Sequence, residues 1–216
     1  MQISVITLFP EMFQGPFEES IVKRAQEKDL VQINLHNIRK WAADKHGTVD
    51  NKPYGGGPGM VLRVDVIDSA LKEIKSEKAK TVLLTPQGKT YSQKVAQNYS
   101  TLKHLILIAG HYEGFDERIR EHLVDEEVSI GDFVLTGGEL PAMMVVDSVV
   151  RLLPGVLGDK DSLKDETHSK PGLKKYPVYT RPESYNDWEV PEVLLSGDHK
   201  KILAWQQAKL KKSSKI

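Results

Sequence analysis

The stretch TVLLTPQGKTYSQKVAQNYSTLKHLILIA, residues 81–109, decides the fold class. Its two ends, Thr81–Thr85 and Leu105–Ala109, are short apolar runs, which are typical of strands buried on both faces. A helix is predicted between them, from about Ser92. Strand, helix and strand in this order predict a βαβ unit, and therefore a mostly parallel sheet with flanking helices in an α/β domain.

The rest of the first 154 residues continues this pattern. Further strands are predicted at Gln2–Leu8 and Val31–Leu35, and further helices at Glu11–Lys28, as one helix or two short ones, and Val64–Lys75. Residues 50–59 contain four glycines and two prolines and are predicted to form a loop.

An apolar helix is predicted at Leu140–Leu153. Because it is apolar on nearly every face, we expect it to be buried, either in the core or in a subunit interface. Thr136 and Glu139 have the spacing of a capping box at its start.

The composition changes after residue 154. Residues 155–175 are polar and aperiodic, which predicts a flexible interdomain linker between a domain at 1–154 and a small domain at 176–216. Within the small domain, Asp198–Lys212 is predicted to form a short amphipathic helix. From His199 onward there are six lysines and no acidic residue. This segment is either a solvated tail or an arm that contacts phosphates.

Composition and motifs exclude several classes of protein. The 216 residues include no cysteine, which rules out disulfides, thiolate zinc sites and a cysteine nucleophile. No apolar stretch has membrane-spanning length and no signal sequence is recognisable, so a cytoplasmic location is expected. The net charge of zero argues mildly against nucleic-acid binding. There is no dinucleotide-binding glycine motif, and Gln87–Thr90 fails as a P-loop because Leu83 stands where its first glycine is required.

Three loops remain as a candidate site, and each follows a predicted strand. They are residues 85–89, 110–118 and 129–139. Ligands of open α/β sheets bind at the carboxyl ends of strands, so the three loops are expected to converge on one pocket. Their glycines allow close approach of backbone groups, which suit an adenine edge and ribose hydroxyls. The alternative is that each loop is only a tight turn.

Five motifs extend this interpretation. Lys45–Asp50, Pro53–Met60, Gly110–Gly114, Ser129–Pro141 (Ser-Ile-Gly-Asp through Gly-Gly-Glu-Leu-Pro) and Tyr179–Pro182 resemble those of the bacterial tRNA (guanine-N1)-methyltransferases of the SPOUT class. The resemblance covers about residues 1–205.

The resemblance implies a fold, a reaction and partners. The fold would be an α/β domain with a C-terminal trefoil knot, followed by a small, shortened helical domain that binds tRNA. The reaction would be S-adenosylmethionine-dependent methylation of N1 of guanosine-37, on the 3′ side of the anticodon. The partners would be tRNA and a second copy of the chain, with each site built from both subunits. Mg²⁺ supports the family's reaction, but no metal site is recognisable in this sequence. Two alternatives are a SPOUT enzyme that acts on another RNA nucleotide and a catalytically weak RNA-binding relative.

The resemblance also implies site residues. The cofactor contacts, carried over by position, are Thr85, Pro86, Gln87, Gly110, Tyr112, Glu113, Gly114, Ser129, Ile130, Gly131, Phe133, Val134, Leu135, Gly137 and Gly138. Guanine N1 carries a proton that a carboxylate could remove, while an arginine stabilises the charge that develops on O6. Arg151 matches the family's catalytic arginine. Either Glu166 or Asp165 matches its aspartate, because the segment is one residue longer here and the alignment is ambiguous.

Overall fold

The computed structural model describes residues 1–158, 163–164, 166–169 and 172–212. The chain divides into two compact units, Met1–Gly158 and Asp159–Ile216. The strands of the first unit are β1 (Gln2–Thr7), β2 (Gln32–Asn37), β3 (Asp50–Asn51), β4 (Val61–Leu62), β5 (Ala79–Thr90), β6 (His104–Ala109), β7 (Gly114–Phe115) and β8 (Glu126–Ser129). Its α-helices are α1 (Gln14–Phe17), α2 (Ser20–Glu27), α3 (Val64–Ile74), α4 (Gln93–Ser100), α5 (Glu117–His122) and α6 (Glu139–Val150), and 3-10 helices span Pro10–Phe13 and Ile38–Trp41.

The main sheet has five parallel strands in the order β2-β1-β6-β5-β8. The predicted α/β class and mostly parallel sheet are therefore confirmed. Every residue of the central strand β6 is buried. Leu105 and Leu107 face one hydrophobic cluster, whereas Ile106 and Ile108 face the other, as the two-residue period of a strand requires. Helices cover both faces, which explains why this strand is apolar without interruption.

The two clusters contain different helices. One contains buried residues of α2 and α6, including Val22 and Val146, and the other contains buried residues of α3 and α5, including Ile67 and Ile119. A smaller sheet of order β3-β4-β7 lies in the same unit. It ties the glycine-rich segment between β3 and β4 to the loop after β6, because β4 pairs with β7.

The apolar residues of α6 are buried within this chain except Leu140 and Met144, which are 51% and 52% exposed. This exposure leaves the predicted alternative of a subunit interface open. The predicted capping box is wrong: Gly138 is the N-cap, without a side-chain cap, and Glu139 is the first helical residue. The Glu139 carboxylate is instead hydrogen-bonded to Thr7 and His111.

The second unit contains short elements. They are β9 (Leu173–Lys174), β10 (Ser184–Tyr185), β11 (Trp188–Glu189), α7 (Glu192–Leu195), α8 (His199–Lys209) and β12 (Lys211–Lys212). The predicted helix at 198–212 ends early, because Leu210 adopts an extended conformation. None of the residues of α8 is buried, so the expected apolar face is not buried. At the end of the predicted linker, β9 pairs with β12.

Candidate functional site

The three strand-end loops line one cavity of about 310 Å³ in the first unit. It opens at the carboxyl ends of the buried part of β5, of β6 and of β8. Of the fifteen residues predicted to contact a cofactor, all but Gly131 line it. The predicted convergence of the loops is therefore present in the structure, and the role of these residues in binding stays a prediction.

The first loop lies within a strand rather than after one. β5 continues to Thr90, and its pairing with β8 is irregular between Leu84 and Lys89. Gly88 lies in this interval, and a Cβ there would be 2.4 Å from the backbone nitrogen of Val128. A glycine is therefore needed for β5 to press against β8, and the irregularity places Thr85, Pro86 and Gln87 in the cavity wall.

The second loop is held by the small sheet. The backbone N–H of Glu113 donates to the carbonyl of Met60 at 3.0 Å, beside the pairing of β4 with β7. Tyr112 has a φ of 65°, a left-handed conformation that is rare for a bulky residue. Such strain persists where the surrounding structure enforces it, often at a ligand site.

The third loop presents apolar side chains to solvent. Phe133, Val134 and Leu135 are 53%, 81% and 38% exposed, although all three line the cavity. The start of the loop is closed by Ser129, whose Oγ donates to the carbonyl of Gly131 at 2.9 Å. Gly131 thus shapes the loop without lining the cavity. Three adjacent exposed apolar residues are typical of a surface that a ligand or a partner covers.

Charged side chains lie at the wall of the cavity. Arg120 donates from Nε to Glu127 at 2.9 Å, approaches Glu117 at 3.3 Å and also donates to the side chain of Gln87. The hydrogen bond to Glu127 raises the pKa of Arg120. This ion pair fixes α5 against β8 and against the first loop. The carboxylates of Glu113 and Glu117 both line the cavity and suit a cationic ligand.

Of the residues predicted to be catalytic, Arg151 lies in the first unit and does not line this cavity. Arg151 is the C-cap of α6 and is half-buried. Glu166 is half-buried in the second unit, and Asp165 lies outside the described residues.

Several lining residues escaped the sequence interpretation: Leu84, His111, Phe115, Glu117, Arg120, Val128, Thr136 and Pro141. His111 and Thr136 lie inside motifs that were recognised, so their position was a usable signal. Glu117 lies inside the second candidate loop, residues 110–118, so its position was a usable signal as well. Arg120 lies beyond that loop, on α5, and no local pattern indicated it.

Within the ranges that the structure covers, no three histidine or carboxylate side chains are placed to hold a metal ion. Across the same residues, no helix combines the length and the apolar character needed to cross a membrane.

Comparison with known proteins decides the family. The family model described as "tRNA (Guanine-1)-methyltransferase TrmD" matches residues 1–216, the whole chain. The chain belongs to this family. A curated "tRNA (guanine-N(1)-)-methyltransferase" of Dehalococcoides mccartyi is 54% identical over 210 residues, covering 96% of this chain and 84% of the relative.

Other relatives in the tRNA (guanine-N1)-methyltransferase family agree. Proteins of the same name from Staphylococcus carnosus and Carboxydothermus hydrogenoformans are each 53% identical over 207 residues. The matches span 95% and 96% of this chain, and 84% and 81% of the respective relatives. The predicted resemblance is thereby confirmed.

Proposed function

We propose that this protein transfers a methyl group from S-adenosylmethionine to N1 of guanosine-37 in tRNA, in the cytoplasm. The observation that carries the proposal is the cavity formed by three strand-end loops in a chain that belongs to the tRNA (guanine-N1)-methyltransferase family. The relatives' names specify both the substrate and the guanine nitrogen.

The cavity fits the cofactor. Its volume of about 310 Å³ is within the range of about 300–1,000 Å³ that is usual for small-molecule sites. The apolar third loop suits the flat faces of an adenine, and backbone groups beside Gly110 and Gly137 suit its polar edge. Glu113 and Glu117 suit the cationic sulfonium and ammonium groups. When bound, S-adenosylmethionine supplies an electrophilic methyl group, and the protein supplies the orientation.

The protein must also handle a proton. N1 of guanine is protonated near neutral pH, and a carboxylate of Glu166 or Asp165 accepts that proton as the new bond forms. The guanidinium of Arg151 stabilises the negative charge that develops on O6. Mg²⁺ is implied by the family, but the described residues offer it no cluster of ligands.

The position of Arg151 supports a homodimer with shared sites. Arg151 lies ten residues beyond the lining residue Pro141, which is about 15 Å along the helix axis. An arginine this far along α6 belongs to the cavity of a second copy more readily than to its own. Leu140, Met144 and Arg151 lie on one face of α6, at steps of four and seven residues. The exposure of the first two leaves an apolar stripe that a two-fold partner would cover.

The second unit is proposed to bind tRNA, with residues 155–175 acting as a linker and residues 176–216 as the small C-terminal domain. Tyr185 and Trp188 are 60% and 71% exposed, and their rings lie 5.9 Å apart. Exposed aromatic rings stack on unpaired RNA bases, and the lysines of α8 suit phosphates. The SPOUT trefoil knot, formed by the cavity loops, is part of the same proposal.

The test is methylation of two tRNA transcripts that differ only at position 37. Methyl incorporation into the transcript with guanosine-37 is expected, with the product identified as 1-methylguanosine by mass spectrometry of nucleosides. The matched transcript with adenosine-37 is expected to stay unmodified. Equal incorporation would favour a SPOUT enzyme that acts on another nucleotide. Binding of tRNA without incorporation would favour the catalytically weak relative.

A further inference from the structure

The buried carboxylate of Glu139 joins three separate segments at the edge of the cavity. Glu139 is the first residue of α6 and is 1% exposed. Its Oε1 accepts a hydrogen bond from Thr7 Oγ at 2.6 Å, and its Oε2 lies 2.7 Å from Nε2 of His111. Thr7 is the last residue of β1, and His111 lines the cavity in the second loop. Glu139 itself does not line the cavity.

The hydrogen positions in this cluster follow from the donors and acceptors. The backbone N–H of Phe9 donates to the hydroxyl oxygen of Thr7 at 3.0 Å, which leaves the Thr7 hydroxyl hydrogen for Glu139. A carboxylate only accepts, so Nε2 of His111 must carry a hydrogen, and Nδ1 is the ring atom left for other contacts. The N-terminal end of α6 favours negative charge at Glu139.

The atoms around this cluster are closely packed. A Cβ on Gly137 would lie 2.2 Å from Nε2 of His111 and 2.5 Å from Oε2 of Glu139. The next residue, Gly138, donates from its backbone nitrogen to the carbonyl of Gly110 at 2.7 Å. The end of the third loop is therefore pressed onto the start of the second, and both loops form the cavity wall.

We propose that Glu139 is a positioning residue for the cofactor cavity. Acting through His111, it keeps a hydrogen on Nε2 of that ring and locks the second and third loops in the arrangement that binds the ligand. The inference rests on the proposed function, because the ligand it concerns is S-adenosylmethionine.

The decisive variant is Glu139→Gln, because the amide keeps the shape of the side chain but offers one acceptor where the carboxylate offers two. If the amide oxygen accepts from Thr7, the amide NH2 faces Nε2 of His111, so the hydrogen on Nε2 either loses its acceptor or moves to Nδ1. We expect cofactor affinity measured by calorimetry to fall about tenfold, or ~1.4 kcal/mol. Nitrogen NMR of the His111 ring should show that Nε2 no longer carries the hydrogen throughout. At saturating cofactor, kcat should recover while the KM for cofactor stays raised.

Two further variants control the experiment. Glu121→Gln makes the same chemical change at an exposed carboxylate on α5, whose side chain is 58% exposed, and should change neither affinity nor tautomer. Thr7→Val removes the hydroxyl at constant shape and should weaken cofactor binding, whereas Thr7→Ser keeps the hydroxyl and should retain it. If Glu139→Gln does not fold, the comparison of Thr7→Val with Thr7→Ser tests the proposal instead.

The outcomes separate the two proposals. Unchanged affinity and an unchanged His111 tautomer in folded Glu139→Gln overturn the positioning role. A wild-type protein that binds no S-adenosylmethionine overturns the proposed function instead. In that case the NMR comparison still reports whether Glu139 orients His111.

Discussion

Replacement of Gly138 with alanine should damage both the stability of the first unit and cofactor binding. A Cβ at this position would lie 2.7 Å from the Cα of Ala109 and 2.7 Å from the backbone nitrogen of Gly110. These are backbone atoms at the end of β6 and the start of the second loop, so neither can rotate away. The clash can be relieved only if the third loop moves off the second.

The magnitude follows from two terms. Overpacking of a close-packed site costs about 1–3 kcal/mol, and loss of the 2.7 Å hydrogen bond from Gly138 to Gly110 adds about 1 kcal/mol. The free energy of unfolding should therefore fall by about 2–4 kcal/mol. A unit of this size loses about 2–4 °C in Tm per kcal/mol, so Tm should drop by roughly 4–16 °C.

The assay is thermal unfolding by calorimetry together with S-adenosylmethionine titration. Gly158→Ala is the matched control, because no atom beyond its chain neighbours lies within 4 Å of its Cβ position and its φ is not in the left-handed region. Alanine there should leave Tm unchanged. If Gly138→Ala melts with the wild type and binds the cofactor equally, the close-approach argument is wrong.

Three further predictions address the dimer, the pH dependence and the base. Met144→Asp, on the exposed stripe with Leu140, should convert a dimer into a monomer in light scattering after gel filtration, whereas a wild-type monomer would contradict the proposed interface. His104 is 2% exposed between two serine hydroxyls, and burial lowers its pKa. Because the unfolded chain takes up the proton first, stability should decline as pH falls below about 6.5. In urea titrations, the free energy of unfolding of His104→Gln should decline less steeply below this pH than that of the wild type. An unchanged pH dependence would show that another group causes the decline. In single-turnover methylation, Glu166→Ala or Asp165→Ala should slow the reaction by about 100-fold or more at whichever residue is the base. A loss of only a few-fold in both variants would remove the linker carboxylates from the mechanism.

Local sequence patterns predicted the structure correctly where one physical principle dominated. The uninterrupted apolar run of β6 is typical of a strand covered on both faces, and the helical spacing of α3 predicted its bounds within one residue. The loops after β6 and β8 were located by the same reasoning, since ligands meet the carboxyl ends of parallel strands. The motifs in those loops then predicted the family, which the comparison confirmed.

Other features depended on contacts between residues that are distant in the chain. The capping box failed because Glu139 bonds to Thr7, 132 residues earlier in the chain, rather than to its own helix end. α8 resembled an amphipathic helix, but none of its residues is buried. Arg120 joined the cavity wall because of how α5 packs, which no local spacing encodes.

The sequence by itself determined the α/β class, four of the five main-sheet strands, the candidate loops and the family, since each of these depends on periodicity or on ordered local motifs. The fifth strand, β8, was not predicted. Only the tertiary structure decided that the loops of residues 85–89, 110–118 and 129–139 share one cavity. It also revealed that Arg151 lies about 15 Å along α6 from that cavity's edge. The physical reason is that a buried polar group must find its partner wherever the fold places one, and the Thr7–Glu139–His111 cluster exists only after β1, the second loop and α6 have met.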